Sequence, residues 1–164
     1  MARLREFSGL SDYSKKLAKL GAIDQVTRVI KTALFDGAGV VADAIRAEVS
    51  SLPVGNDWGT SEHPINTISQ KQKQGLLTSL NLSDMKREGW GWSTMAGFAG
   101  YNEQKTPDYP EGQPNAMIAA SIEGGTSFRA KNPFLTRALR KSQKLSEAAM
   151  AAKADEQINT IMEE

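Results

Sequence analysis

The chain has 164 residues, 40% hydrophobic and 24% charged, with 20 basic against 19 acidic side chains for a net charge of +1. That length sets the expectation of one domain over residues 1–164, burying about two-thirds of the unfolded surface, and the balanced charge demands neither nucleic acid nor membrane. No cysteine and a single histidine exclude disulfides, thiolate chemistry and multi-histidine metal centres, and no run reaches the about 18–20 apolar residues of a membrane span.

Residues 1–20 read as an N-terminal arm with a short helix, capped by Ser11 and ended by Gly21. The opening MARLREFSGLSDYSKK has two arginines with no apolar run behind them, so no secretory signal is expected. From Val26 the residues Val29, Ile30, Ala33, Leu34, Val41, Ala44, Ile45, Val49 and Leu52 fall on one helical face. They predict a helix of about 28 residues, about 42 Å long, capped by Asp24 and stopped at Pro53. Gly37 and Gly39 interrupt it, each costing about 1 kcal/mol relative to alanine. They mark a kink or a close crossing under the sheet, or else a hinge.

Residues 53–74 hold two prolines and two glycines and read as a loop, longer than compact domains leave without purpose. His63 in that loop lacks a second group for acid–base or metal chemistry. Trp58 either folds back onto the core or anchors a partner. Gly75 to Ser83 reads as a helical turn running into a strand that buries Leu77, Leu80 and Leu82, and residues 85–89 as a turn. Trp90, Trp92, Thr94, Ala96 and Phe98 then alternate with Gly91, Ser93, Met95, Gly97 and Ala99. This predicts a ten-residue strand whose glycine-rich face needs something packed on it. Residues 101–115, with three prolines, Tyr101 and Tyr109, predict an extended arm between two antiparallel strands.

Ile118, Ala120 and Ile122 alternate with polar or small residues, predicting a strand over 116–123 that closes a three-stranded sheet. A corner at Glu123, Gly124, Gly125 and Thr126 leads to a final helix, with Asn132 as N-cap and Pro133 at the first helical position. Phe134, Leu135, Ala138, Leu139, Leu145, Ala149, Ile158 and Ile161 mark its apolar face. Arg137, Arg140, Lys141 and Lys144 form a basic stripe on it, either a solvated face or the wall of a channel touching a DNA backbone without reading its sequence.

The expected fold is therefore α+β, a long N-terminal helix and a C-terminal helix packed on a small antiparallel sheet with a long projecting loop. No phosphate loop, Gly-x-Ser-x-Gly elbow or His-Glu-x-x-His is present, and Gly89-Trp90-Gly91-Trp92 enters a strand rather than opening a helix. Glu123 has no nucleophile–base pair beside it and is expected to tie a turn or meet a neighbour's cation. Neither catalysis nor a cofactor nor a metal is expected.

Glu123, Gly125 and Thr126, followed by Pro133, Phe134, Leu135, Ala138 and Leu139, resemble the C-terminal signature of the head-to-tail joining proteins of long-tailed bacteriophages, the neck or tail-completion family. Upstream, Leu52-Pro53 followed by Gly75-Leu76-Leu77 and Ser79-Leu80 resembles that family's central segment, so the likeness spans Leu20 to Lys144. The gap from Pro53 to Gly75 is longer than in the family pattern, and Gly124 replaces a bulky residue.

The resemblance implies a virion protein of the neck, assembled in the host cytoplasm as a homo-oligomeric ring with an axial DNA passage. Its neighbours would be connector, adaptor or stopper proteins, the tail terminator or tail tube, and the passing genomic DNA, with no membrane. Interface anchors are expected at Trp58, Tyr101, Tyr109 and Glu123, on loops that become ordered on assembly, and Arg137, Arg140, Lys141 and Lys144 would face the channel. Two alternatives stand beside this: a tail-terminator or minor tail ring protein, and a non-specific DNA-binding accessory protein.

Overall fold

The computed structural model describes residues 23–89 and 91–163, so the expected arm and short helix over residues 1–20 and the position of Trp90 lie outside the described residues. Within them the chain forms helices α1 (Ile23–Ser51), α2 (Gln70–Ser79), α3 (Asn115–Gly124) and α4 (Phe134–Glu163). Four short strands, β1 (Leu80–Leu82), β2 (Lys86–Glu88), β3 (Gly91–Ser93) and β4 (Ala96–Phe98), lie between α2 and α3. The fold is α+β, with two small antiparallel sheets between two long helices.

α1 and α4 are an antiparallel pair, about 43 and 45 Å long at 1.5 Å per residue. Ala33 and Val29 of α1 cluster with Ala154 and Ile158 of α4, while Glu48 meets Arg137 and Lys141 at the other end. Both helices present four-spaced rows, Val29, Ala33, Gly37, Ile45 and Val49 on one and Phe134, Ala138, Ser142, Ser146 and Ala154 on the other. These rows face each other along the length of the pair. Small residues along them let the two backbones approach. A Cβ on Gly37 would lie 2.4 Å from Met150 Cγ, so the expected close crossing is made with α4 and not under a sheet. The helix runs unbroken through Gly37 and Gly39.

The apolar face of α4 differs from the expected one. Leu139 and Leu145 are 54% and 65% exposed, and the buried row passes instead through Ser142 and Ser146. Each serine satisfies its hydroxyl on a carbonyl, Ser142 on Ala138 of its own helix and Ser146 on Gly37 of α1, which removes the penalty of burying a polar group.

The expected strand over 116–123 is helix α3. Ile118 and Ile122 are two residues from Ala120 on either side but also four apart, and the buried set Asn115, Ile118, Ala119 and Ile122 follows helical spacing, leaving Ala120 exposed. Alanine-rich, this segment has high helix propensity, and the period-2 reading lost to it. The three-stranded sheet therefore does not form.

In its place stands one bent β-hairpin. β1 pairs with β4 from Leu80↔Phe98 to Leu82↔Ala96, and β2 with β3 from Lys86↔Ser93 to Glu88↔Gly91. Three residues, 83–85, oppose two, 94–95, so an extra residue bulges the ladder and splits the expected ten-residue strand. Ser83 holds the bulge through its backbone and hydroxyl bonds to Met95 and the bond it accepts from Thr94. The expected turn at 85–89 is largely strand β2, and a side chain at Gly91 or Gly97 would meet nothing, so the glycine-rich face is open rather than packed. The inner face leans on α1, where Lys31 Nζ sits 4.0 Å above the Trp92 ring.

The main core joins α1, α2, α3 and the start of α4 around Val49, Leu76, Ile118 and Phe134, with Phe98 beside the Phe134 ring. α2 begins at Gln70, inside the segment expected to be loop, because Ser69 and Gln72 form a reciprocal capping box.

Candidate interaction surface

Three loops converge at one end of the molecule. In residues 53–69, Gly55 and Ile68 exchange backbone bonds with their neighbours across the loop, and Thr60 and His63 close its tip. Ile65 is bonded on both sides to the segment after α3, accepting from Ala130 and donating to Phe128. The two segments touch closely enough that a Cβ on Gly59 would lie 1.8 Å from the Phe128 carbonyl oxygen, so only glycine fits there.

Residues 101–114 fold back on themselves rather than projecting as an extended arm. Asn102 donates to Gln113, Gln113 to Gln104, and Thr106 and Tyr109 bond each other, while Gln72 of α2 holds Gln113 at 2.6 Å. Asn102 and Gln113 are buried in consequence. The loop leads into helix α3, so it does not join two strands.

A cleft of about 170 Å³ opens where these loops meet, lined by Asn56, Asp57, Trp58, Ile65, Thr67, Gln72, Gln104 and Arg129. Trp58 in this lining is 71% exposed, and the adjoining loop segments carry Tyr101 and Phe128, 68% and 56% exposed. Tyr109 is half-buried in its turn. The structure thus draws the loops of Trp58, Tyr101 and Tyr109 together, and adds Phe128 and Arg129, which sequence reasoning missed. Their signal was an aromatic residue in an otherwise polar segment, as at Trp58, here beside an arginine.

Glu123 lies elsewhere in role. Its carboxylate accepts bonds from Leu135 N (2.8 Å), Thr136 N (3.2 Å) and Thr136 Oγ1 (2.6 Å), capping α4 from outside the helix. Two of the free N–H groups of the first turn are satisfied this way, and the negative charge faces the positive end of the helix dipole. Asn132, the expected N-cap, contributes its carbonyl to Phe134 and its N–H to Ile122. Thr126 forms a tight turn by exchanging backbone bonds with Arg129.

The basic stripe of α4 is divided. Arg137 Nε and Lys141 Nζ both bind the carboxylate of Glu48, which is buried among the apolar residues of α1. The hydrogen bond from Lys141, opposed by burial and helped by Arg137, holds the Glu48 carboxyl below its ordinary range. Arg140 and Lys144 are exposed, with no ion pair among the described residues. Glu48 itself was legible as an acid inside the apolar spacing of Ile45, Val49 and Leu52.

Among the described residues no cluster of three or more His, Cys, Asp or Glu side chains is placed to hold a metal, and no helix is long and apolar enough to cross a membrane. No protein-family model matches the chain, and neither a curated protein nor a solved structure matches it.

Proposed function

We propose that the protein is a structural component of a phage neck, joining a DNA-filled head to a tail as one subunit of an oligomeric ring with an axial passage. The observation that carries this reading is the surface of Trp58, Tyr101 and Phe128, three large apolar side chains more than half exposed on loops whose backbones are hydrogen-bonded in place. Exposed aromatics on pinned loops suit a preformed contact surface, since little ordering entropy remains to oppose binding. The order of Glu123, Gly125, Thr126, Pro133, Phe134 and Leu135 supports the neck assignment by its resemblance to the joining proteins. In this reading the protein acts by contact rather than catalysis, its residence is the virion, and its neighbours are further copies and the flanking connector, stopper or tail proteins.

Non-specific contact with passing DNA is kept to Arg140 and Lys144, because Glu48 already occupies Arg137 and Lys141. Two phosphate contacts per chain give a salt slope of about −2 for a lone subunit and a steeper one for a ring.

The experiment is joining in vitro: purified filled heads and tails are mixed with the protein and infectious particles are counted. The proposal expects joining to depend on the protein and to fall with Trp58→Ala. Joining that proceeds equally without the protein contradicts it. A tail-terminator would instead fix tail length in tail assembly reactions, which separates the nearest alternative.

A further inference from the structure

Arg129 stands in this cleft without an ion-pair partner among the described residues. Its side chain is half-buried and donates to the Thr67 carbonyl, and no carboxylate lies within ion-pair distance among the described residues. Burial lowers its pKa from the ordinary value, yet a guanidinium in a protein stays charged. Buried charges are normally paired.

The surroundings say what would pair it. A guanidinium has five N–H donors in a planar fork, and a carboxylate matches that fork with two parallel bonds. The cleft is about 170 Å³, below the about 300–1,000 Å³ of ordinary small-molecule pockets, so it suits one side chain rather than a cofactor. Trp58 lines it with exposed apolar surface, and the Thr67 hydroxyl is closed off from water without a partner. Asp57 lines the same cleft. It makes no ion pair with Arg129 and offers an acceptor to the backbone N–H of an incoming segment.

We infer that this cleft docks a single Asp or Glu side chain from a neighbouring protein chain, with the carboxylate on Arg129 and an adjacent apolar residue of the same segment against Trp58. The inference rests on the assembly reading for one point, that the carboxylate comes from a protein. Its test needs no assembly, so a pocket that binds and a ring that fails to form are separate results.

The full-length chain, labelled with nitrogen-15, is titrated with acetyl-Leu-Glu-Leu-amide, with acetyl-Leu-Gln-Leu-amide and with acetate. The indole N–H of Trp58 and the Nε–H of Arg129 are followed by NMR. The glutamate peptide is expected to shift both signals saturably and to bind at least about tenfold more tightly than the glutamine peptide. Arg129→Gln removes that preference; Arg129→Lys, which keeps the charge and loses the fork, retains part of it. Equal binding of the two peptides, or no shift of either signal, overturns the inference. Acetate binding as tightly as the glutamate peptide overturns the protein source and makes the pocket a small-carboxylate site.

Discussion

Ser146 Oγ donates a 2.9 Å hydrogen bond to the carbonyl oxygen of Gly37, from one long helix to the other, where a Cβ on position 37 would collide with Met150. The bond and the missing side chain belong together: a bulky group at position 37 would push the helices apart and leave the buried Ser146 hydroxyl to turn elsewhere. Gly37→Leu is therefore expected to destabilise by about 2–3 kcal/mol, the range of core overpacking. Gly37→Ala should stay within about 1 kcal/mol of the parent, because the flexible end of Met150 yields and alanine favours the helix. Urea unfolding of the two variants checks the contrast.

The Glu48 group makes an asymmetric prediction. Glu48 is buried, while Arg137 and Lys141 are 39% and 70% exposed at their side chains. Glu48→Gln releases two cations that water can solvate, for a loss of about 1–2 kcal/mol. The double variant Arg137→Ala, Lys141→Ala strands a buried carboxylate and should lose about 3–5 kcal/mol. Equal losses in denaturant titrations would show that the burial is not what matters.

The same carboxyl sets a pH dependence. Its folded pKa lies below the ordinary 4.5, so its contribution is fully present above that value and is lost as pH falls through the lower folded one. Stability of the parent measured from pH 6 downward should fall more steeply below about pH 4.5 than that of Glu48→Gln. Parallel curves would remove Glu48 from the acid response.

Capping of α4 by Glu123 gives a fourth test. Glu123→Ala leaves the N–H groups of Leu135 and Thr136 without their acceptor, a loss of about 1–2 kcal/mol. Glu123→Gln, which keeps an acceptor and loses the charge, should fall between. Thermal melts rank the three proteins.

Gly75 in α2 makes a fifth. A Cβ there would lie 2.4 Å from Asn102 Cβ and 2.6 Å from Asn115 Oδ1. Both asparagines are buried, and Asn102 Nδ2 and Asn115 Oδ1 have no partner. Gly75→Ala should therefore lose stability, by about 1–3 kcal/mol, despite alanine's better helix propensity. Chemical denaturation decides, and a stabilised variant would show that Asn102 and Asn115 are free to move away from α2.

Much of the fold was legible where a long segment repeats one signal. The face of α1 from Val26 to Val49 and the opening of α4 just after Asn132-Pro133 are of this kind, and they define the α+β frame. Short segments misled for physical reasons. Ile118 and Ile122 satisfy both periods, and only the burial of Asn115 and Ala119 separates helix from strand. Leu139 and Leu145 looked like core because they are leucines, whereas close approach to α1 selected Ser142 and Ser146. The capping box Ser69-Gln70-Lys71-Gln72 was in plain view and would have ended the loop five residues sooner. The cleft itself was not legible, since Trp58, Gln104 and Arg129 are brought together by the tertiary fold alone.

The most direct test of the account is mass by light scattering over a wide concentration range, for the protein alone and with purified tails or filled heads. A closed ring, or a monomer recruited by those particles and lost from them on Trp58→Ala, is the predicted result. A monodisperse monomer that ignores both particles would contradict the joining role.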